Sequence, residues 1–417
     1  MIRREAPEQL AENAGFPAGP GSGLPPRCAD PCLQKHRFRY SLQLILFFAI
    51  LEKNRPAGDL PECVKAGVCR EKGDLTVAKV TPKENFLKLA KGEFPYYVPF
   101  YSLMGDPYLG ECAVKSARIS FFADTIMQGG TNMWGVPYAK PSVGIEAVMP
   151  DTRINILKDI SDWPKVVKFP EPLSVDLDQA YADCLKDIDR SETCLSVGPH
   201  FGPFQELVAL MGFEGGLIAL MEDPEEVSAM LNAMIDHIMP HYKRLFEVFK
   251  PDFWHMSDDT CAKTTPFFSP EIYEEVFLPL YMKLSEPARE AGVPVLFHNC
   301  GFTTPFLEYM YQFGVRVTEP FQESNDIRKC QEQFKGRMSF VGHWGWGQHI
   351  PRNYPDFDEE EFRADIRNTI DECSVGGGYA FAGFPIGVAG DPGFKRAYQI
   401  MRDEAHWYGR KVYGYSD

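Results

Sequence analysis

A histidine and a cysteine one residue apart, His298-Asn299-Cys300, end an apolar run (VPVLFH, Val293–His298) and are followed by Gly301. Side chains alternate between the faces of a strand, so an imidazole and a thiol two residues apart point the same way. A nitrogen and a soft sulfur aimed together suit a borderline ion such as Zn²⁺. The same spacing also describes a hydrogen-bonded core histidine beside a core cysteine, so the neighbouring runs must decide. DFWHMS (Asp252–Ser257) ends in Asp258-Asp259, VRVTE (Val315–Glu319) in Glu319, and MSFVGH (Met338–His343) in His343, with Trp344 and Trp346 just beyond. Metal-capable groups therefore end four consecutive runs. Asp258 and Asp259 are catalytic candidates, able to orient substrate or supply a proton; capping a loop is their plainer role. Tyr101, in the cluster Tyr96, Tyr97, Phe100, Tyr101, is a substrate-binding candidate beside the plainer reading of core packing. So are Trp344 and Trp346, set among glycines (GHWGWG) where no core position is expected.

Those runs need a scaffold. From residue 194 to the C-terminus short apolar runs alternate with long helical stretches: CLSVG (Cys194–Gly198), the four above in chain order, and GYAFAG (Gly378–Gly383). Asp223-Pro224-Glu225-Glu226 and Ser269-Pro270-Glu271 carry helix-start signals, and Phe362–Cys373 predicts the helix before the last run. Pro82–Lys91 reads as a short amphipathic helix and Tyr96–Gly105 as a first strand with its loop. Continuously apolar strands alternating with helices mean a parallel sheet covered by helices. With six such strands, and more expected before residue 194, the expected fold is α/β, a (β/α)8 TIM barrel with an irregular N-terminal extension. In that architecture functional side chains sit just past the C-terminal ends of strands, where this set falls. A dinucleotide-binding sheet would need a glycine loop after a strand, and GGGY (Gly376–Tyr379) precedes one.

The extension, residues 1–80, differs from the body, residues 81–417. It opens with Pro/Gly-rich sequence and holds Cys28, Cys32, His36, Cys63 and Cys69 in spacings that match no common zinc finger. It reads as a poorly ordered leader or as sequence ahead of a real start near Val80. Its apolar run Leu42–Leu51 is too short to span a bilayer, so no membrane span is expected. It carries a net charge of +3 and the body −18, of a total of −15. An acidic body excludes a nucleic-acid groove, which needs clustered Lys and Arg. Eleven scattered cysteines, an odd number, read as reduced thiols in a cytoplasm.

VPVLFHNCGFTTPFLEYMYQFGVRV resembles the metal-binding segment of zinc methyltransferases in the uroporphyrinogen decarboxylase superfamily, where a strand ends in H-x-C-G. GPFQELVALMGFEGGLIALMEDPEEV and FFSPEIYEEVFLPLY resemble that family's G-P-F and S-P-E helices. The resemblance covers roughly residues 81–410. It implies Zn²⁺ held by His298 and Cys300, and a corrinoid (cobalamin) carried by a partner protein. The family's thiol methyltransferases have a further Cys after the last strand, where this chain has Phe384 or Pro385. Glu319 on the adjacent strand is the expected third ligand, as in the related cobalamin-independent methionine synthase; His343, one strand further, is the alternative. The porphyrinogen decarboxylases carry an Arg-rich N-terminal motif, and FPYYVPFYSLMGDPYLGE has no Arg. The function implied is methyl transfer between a small methylated substrate (an ether or amine) or a thiol and a corrinoid protein. A metal-free decarboxylase is the alternative enzyme, and a non-catalytic partner of a corrinoid protein the non-enzymatic one. Substrate, direction of transfer and assembly, a homodimer included, stay open.

Overall fold

The computed structural model describes residues 80–102, 112–139, 149–151, 153–344, 358–383 and 392–415. The expectations for residues 1–79 and for Trp346, Phe384 and Pro385 fall outside these residues. The strands, in chain order, are β1 (Val114–Ser116), β2 (Tyr138–Ala139), β3 (Met149–Pro150), β4 (Cys194–Val197), β5 (Phe253–Ser257), β6 (Val295–His298), β7 (Val315–Phe321), β8 (Ser339–His343) and β9 (Tyr379–Ala382). Strands β1 and β4 to β9 form one curled, wholly parallel sheet in the order β1-β4-β5-β6-β7-β8-β9. The six apolar runs are β4 to β9. Strands β2 and β3 pair antiparallel, apart from the sheet.

The expected first strand is shorter than its sequence suggests. Phe100 makes one parallel bridge to Phe381, framed by Tyr101 N–H donating to the Phe381 carbonyl and Phe381 N–H to that of Pro99, both at 2.9 Å. Among the described residues the sheet thus has seven strands and one bridged segment beside β9, where eight regular strands were expected.

Helix α1 (Pro82–Ala90) starts with a full capping box: the Thr81 hydroxyl accepts from Glu84 N–H and the Glu84 carboxylate from Thr81 N–H. It packs against both β4 and β7, and the Ser339 hydroxyl, at the start of β8, donates to the Leu89 carbonyl at 2.9 Å. It therefore lies across the N-terminal end of the sheet. The fully buried Phe86 ring stacks on Tyr101 at 5.9 Å and meets Phe253 edge-on at 5.5 Å.

Period-2 alternation divides the core in two. Inside the curl lie Phe86, Tyr101, Val114, Cys194, Phe253, Leu296, Val317, Val341 and Ala380. Outside it, their chain neighbours Leu195, Trp254, Phe297, Phe340 and Phe381 pack against the helices. Those helices include α2 (Pro203–Met211), α3 (Phe213–Glu222), α4 (Pro224–Phe249), α5 (Leu278–Leu284), α6 (Glu359–Ser374) and α7 (Pro392–Lys411). Ser269 caps its helix as expected, accepting from Ile272 N–H. Asp223 stands before α4 but makes no side-chain cap bond; its backbone (φ −138°, ψ 57°) has left the extended region that capping needs. Among the described residues no single helix is long and apolar enough to cross a membrane.

Candidate metal centre

The inner face of the sheet is apolar toward its N-terminal end and polar toward its C-terminal end. On β6 the inward alternation runs Leu296, His298, Cys300; on β5 it runs Phe253, His255, Ser257, Asp259. Ser257 pairs in register with His298, and His298 with Glu319. Three potential ligand atoms meet there. His298 Nε2 lies 3.6 Å from Cys300 Sγ and 3.8 Å from Asp259 Oδ1, and all three atoms lie within 4.8 Å of one another. Tetrahedral Zn²⁺ with bonds of ~2.0–2.3 Å keeps its ligand atoms roughly 3.3–3.6 Å apart, so this donor set fits zinc with small adjustments.

Glu319 sits on the other side of the same imidazole. Its carboxylate is 3.0 Å from His298 Nδ1 and 3.5 Å from His255 Nε2, and the residue is buried. Burial opposes the charges of this pair, yet their mutual attraction wins: His298 is raised and Glu319 lowered. Glu319 thus accepts the Nδ1 proton, and Nε2, facing Cys300 and Asp259, is the nitrogen a metal would take in place of its own proton. This is the arrangement in which a carboxylate fixes the tautomer of a metal-binding histidine. The structure brings the expected Glu319 to the site, in hydrogen-bonding contact with a ligand candidate, and puts Asp259 among the three converging atoms. Burial keeps the Cys300 thiol above its ordinary value, with the His298 charge pulling the other way; a bound cation would draw off that proton.

The backbone holds the set in place. Cys300 N–H donates to Asp259 Oδ1 at 3.0 Å, and the Gln205 side-chain amide donates to Asp259 Oδ2 at 2.9 Å. Gly301 has φ +88°, and a Cβ there would meet the Ala262 carbonyl at 2.5 Å, so no larger residue fits behind Cys300. Asp258 turns the other way. It is fully buried, and its carboxylate accepts from Phe204 N–H, Gln205 N–H, Asp259 N–H and the Tyr281 hydroxyl of α5. Those bonds anchor the first turn of α2; they account for its contacts without the catalytic role expected for Asp258.

The remaining sequence candidates divide. Tyr101 is buried in the inner layer, and burial, then the Glu319 charge, push its hydroxyl well above the ordinary value. His343 has φ 67°; burial lowers its pKa, and the carboxylates acting on it are Glu372, Glu323 and Asp326, outside the converging set. Trp344 corrects the expectation of a wall beyond the core: it is 1% exposed, its indole N–H donates to Asp365 at 2.8 Å, and its ring meets Phe362 edge-on. The helix α6 it packs against is what the local glycines concealed.

Glu206, on the first turn of α2, escaped the sequence reading. Its carboxylate accepts from the Asn132 amide at 3.3 Å, and desolvation, then repulsion from Asp258, lift its pKa to about 8. A carboxyl raised from 4.5 to about 8 binds its proton more tightly in the folded chain. Its stabilising contribution is therefore complete below pH 4.5 and is lost as pH rises through 8. Between those limits the parent chain should lose stability relative to Glu206→Gln by on the order of 1 kcal/mol per pH unit. Urea unfolding at pH 5, 6.5 and 8 measures the difference, and parallel pH profiles would mean that Glu206 folds as an ordinary carboxylate.

Known proteins share both the sequence and the scaffold. Residues 154–345 match the uroporphyrinogen decarboxylase (URO-D) family. A methylated-thiol–coenzyme M methyltransferase of Methanosarcina mazei is 23% identical over 175 residues, a stretch that spans 42% of this chain and 43% of that protein. A solved methyltransferase structure from Methanosarcina mazei superposes with a TM-score of 0.51 at 13% identity, over 79% of this chain and all of that one, a likeness of fold. The stretch that matches the uroporphyrinogen decarboxylase (URO-D) family, residues 154–345, supplies every member of the converging set.

Proposed function

We propose that this chain is a zinc-dependent methyltransferase that moves a methyl group between a small methylated substrate, or a thiol, and a corrinoid carried by a partner protein. The convergence of Asp259 Oδ1, His298 Nε2 and Cys300 Sγ at the C-terminal end of the strands carries this reading. In it those three residues hold Zn²⁺ and a fourth position faces the interior of the sheet. Zinc there would supply Lewis acidity toward a methylated oxygen or nitrogen, or hold a substrate thiol as thiolate.

The chain's own residues do the rest. Glu319 keeps the His298 proton on Nδ1, and Gly301 and the Cys300 N–H bond fix the thiol. Asp258 ties α2 to the same loop, so that Gln205 reaches Asp259. Tyr101 keeps its proton, because burial and then the Glu319 charge hold its hydroxyl well above the ordinary value. The methyltransferase relatives in sequence and in fold support the reaction class. The same reading takes the segment at Phe100 as the eighth strand of a closed (β/α)8 barrel.

The test pairs metal analysis with turnover. Purified protein should hold about one zinc per chain and should form methylcobalamin from cob(I)alamin and a methylated ether, amine or thioether. A metal-free protein that releases CO2 from a carboxylic acid would instead be the decarboxylase.

A further inference from the structure

The converging set occupies β5 and β6, and the β1 side of the chamber has residues that it does not use. Val114 belongs to the inner apolar layer, and the Ser116 hydroxyl bonds that of Ser196 on β4 at 2.6 Å. The ladder continues through Ala117 N–H to the Ser196 carbonyl. Alternation therefore puts Arg118 on the inner face, just past the C-terminal end of β1.

Arg118 is exposed, and no hydrogen bond or ion pair engages it among the described residues. Each of the other described arginines holds at least one acceptor of this chain. A body with net charge −18 has carboxylates to spare, so a guanidinium left open at the mouth of a chamber is available to an incoming anion. Tyr101 belongs to the same inner layer as Val114, and the Arg118 charge acts on its hydroxyl against burial and Glu319, which dominate and keep it neutral.

We propose that Arg118 is an anion-binding residue of this chamber and that the small substrate carries a carboxylate, held by the guanidinium with the Tyr101 hydroxyl beside it. The inference rests on the methyltransferase reading for what stands at the substrate's other end, the Asp259, His298 and Cys300 set. Strands β1 and β6 are three steps apart in the sheet, so the two ends lie within roughly 15 Å of each other along it. The Arg118 side chain reaches inward from one end of that span and the converging side chains from the other, which shortens it toward the length of a compact methylated acid.

Binding to the full, zinc-loaded chain tests this without turnover. Titration calorimetry would compare matched pairs: methoxyacetate with 2-methoxyethanol, (methylthio)acetate with 2-(methylthio)ethanol, and 3-(dimethylamino)propanoate with 3-(dimethylamino)propanol. Charge-assisted hydrogen bonds predict that at least one acid binds about tenfold to a hundredfold tighter than its alcohol. Arg118→Gln should abolish that preference, and Arg118→Lys, which keeps the charge, should retain part of it and controls for folding. Equal binding within every pair, or a preference that survives in Arg118→Gln, overturns the inference. Zinc content and methyl transfer are measured separately. Zinc-free protein that still prefers acids overturns the metal reading and leaves the subsite standing; zinc and methyl transfer without any preference overturn the subsite alone.

Discussion

Purified His298→Ala and Cys300→Ser proteins are expected to come off the column without zinc, while remaining folded. Each substitution deletes one of three converging ligand atoms, and two protein ligands rarely hold Zn²⁺ against a buffer. The expected loss in affinity exceeds roughly a hundredfold, the upper end of what removing an outer partner costs. Methyl transfer should vanish with the metal. Competition with a chromophoric chelator measures the affinity, and circular dichroism checks the fold. Full zinc retention in both proteins would leave His298 as a hydrogen-bonded core histidine and end the metal reading.

Asp259 and Glu319 should then separate by rank. Asp259→Ala removes a ligand and should cost about as much zinc as Cys300→Ser. Glu319→Gln leaves the three ligand atoms untouched and removes only the charge behind His298 Nδ1, which the amide oxygen can still accept. Its expected cost is about tenfold to a hundredfold in affinity, with one zinc per chain recovered at saturation. Chelator titrations of the two proteins side by side decide the matter. If Glu319→Gln strips the metal and Asp259→Ala keeps it, Glu319 is the third ligand, as the family resemblance implies, and Asp259 becomes its support.

The sequence made the scaffold legible where strands are long enough to carry a pattern. Strands β4 to β9 stand out as apolar runs between helix-start signals, and His298 with Cys300 follows from alternation alone. Strand β1 spans only Val114–Ser116, too short for any period, and Arg118 beyond it went unnoticed for the same reason. The choice between Asp258 and Asp259 was harder. Alternation sends one of two adjacent carboxylates inward, but Phe253 and Trp254 are both large and apolar, so the run DFWHMS does not say which face is which. Only the pairing of Ser257 with His298 fixes the parity and puts Asp259 inside. Trp344 misled because glycines on both sides hid the helix it packs against. The role of Glu319 depended on which imidazole nitrogen it meets, and a one-dimensional pattern does not specify that.

Helix α1, with Phe86 wedged between Tyr101 and Phe253, has a consequence for traffic through the molecule. In the closed barrel of the proposed reading, an end stoppered by this helix leaves a single doorway, and whatever leaves must pass whatever arrived last. In the proposed reaction the small molecule has to enter before a bulky corrinoid carrier covers the opening, and it departs only after the carrier has gone. Arrivals and departures then form a queue, last in and first out. Throughput is bounded by how quickly the larger visitor lets go, however fast the methyl group itself moves.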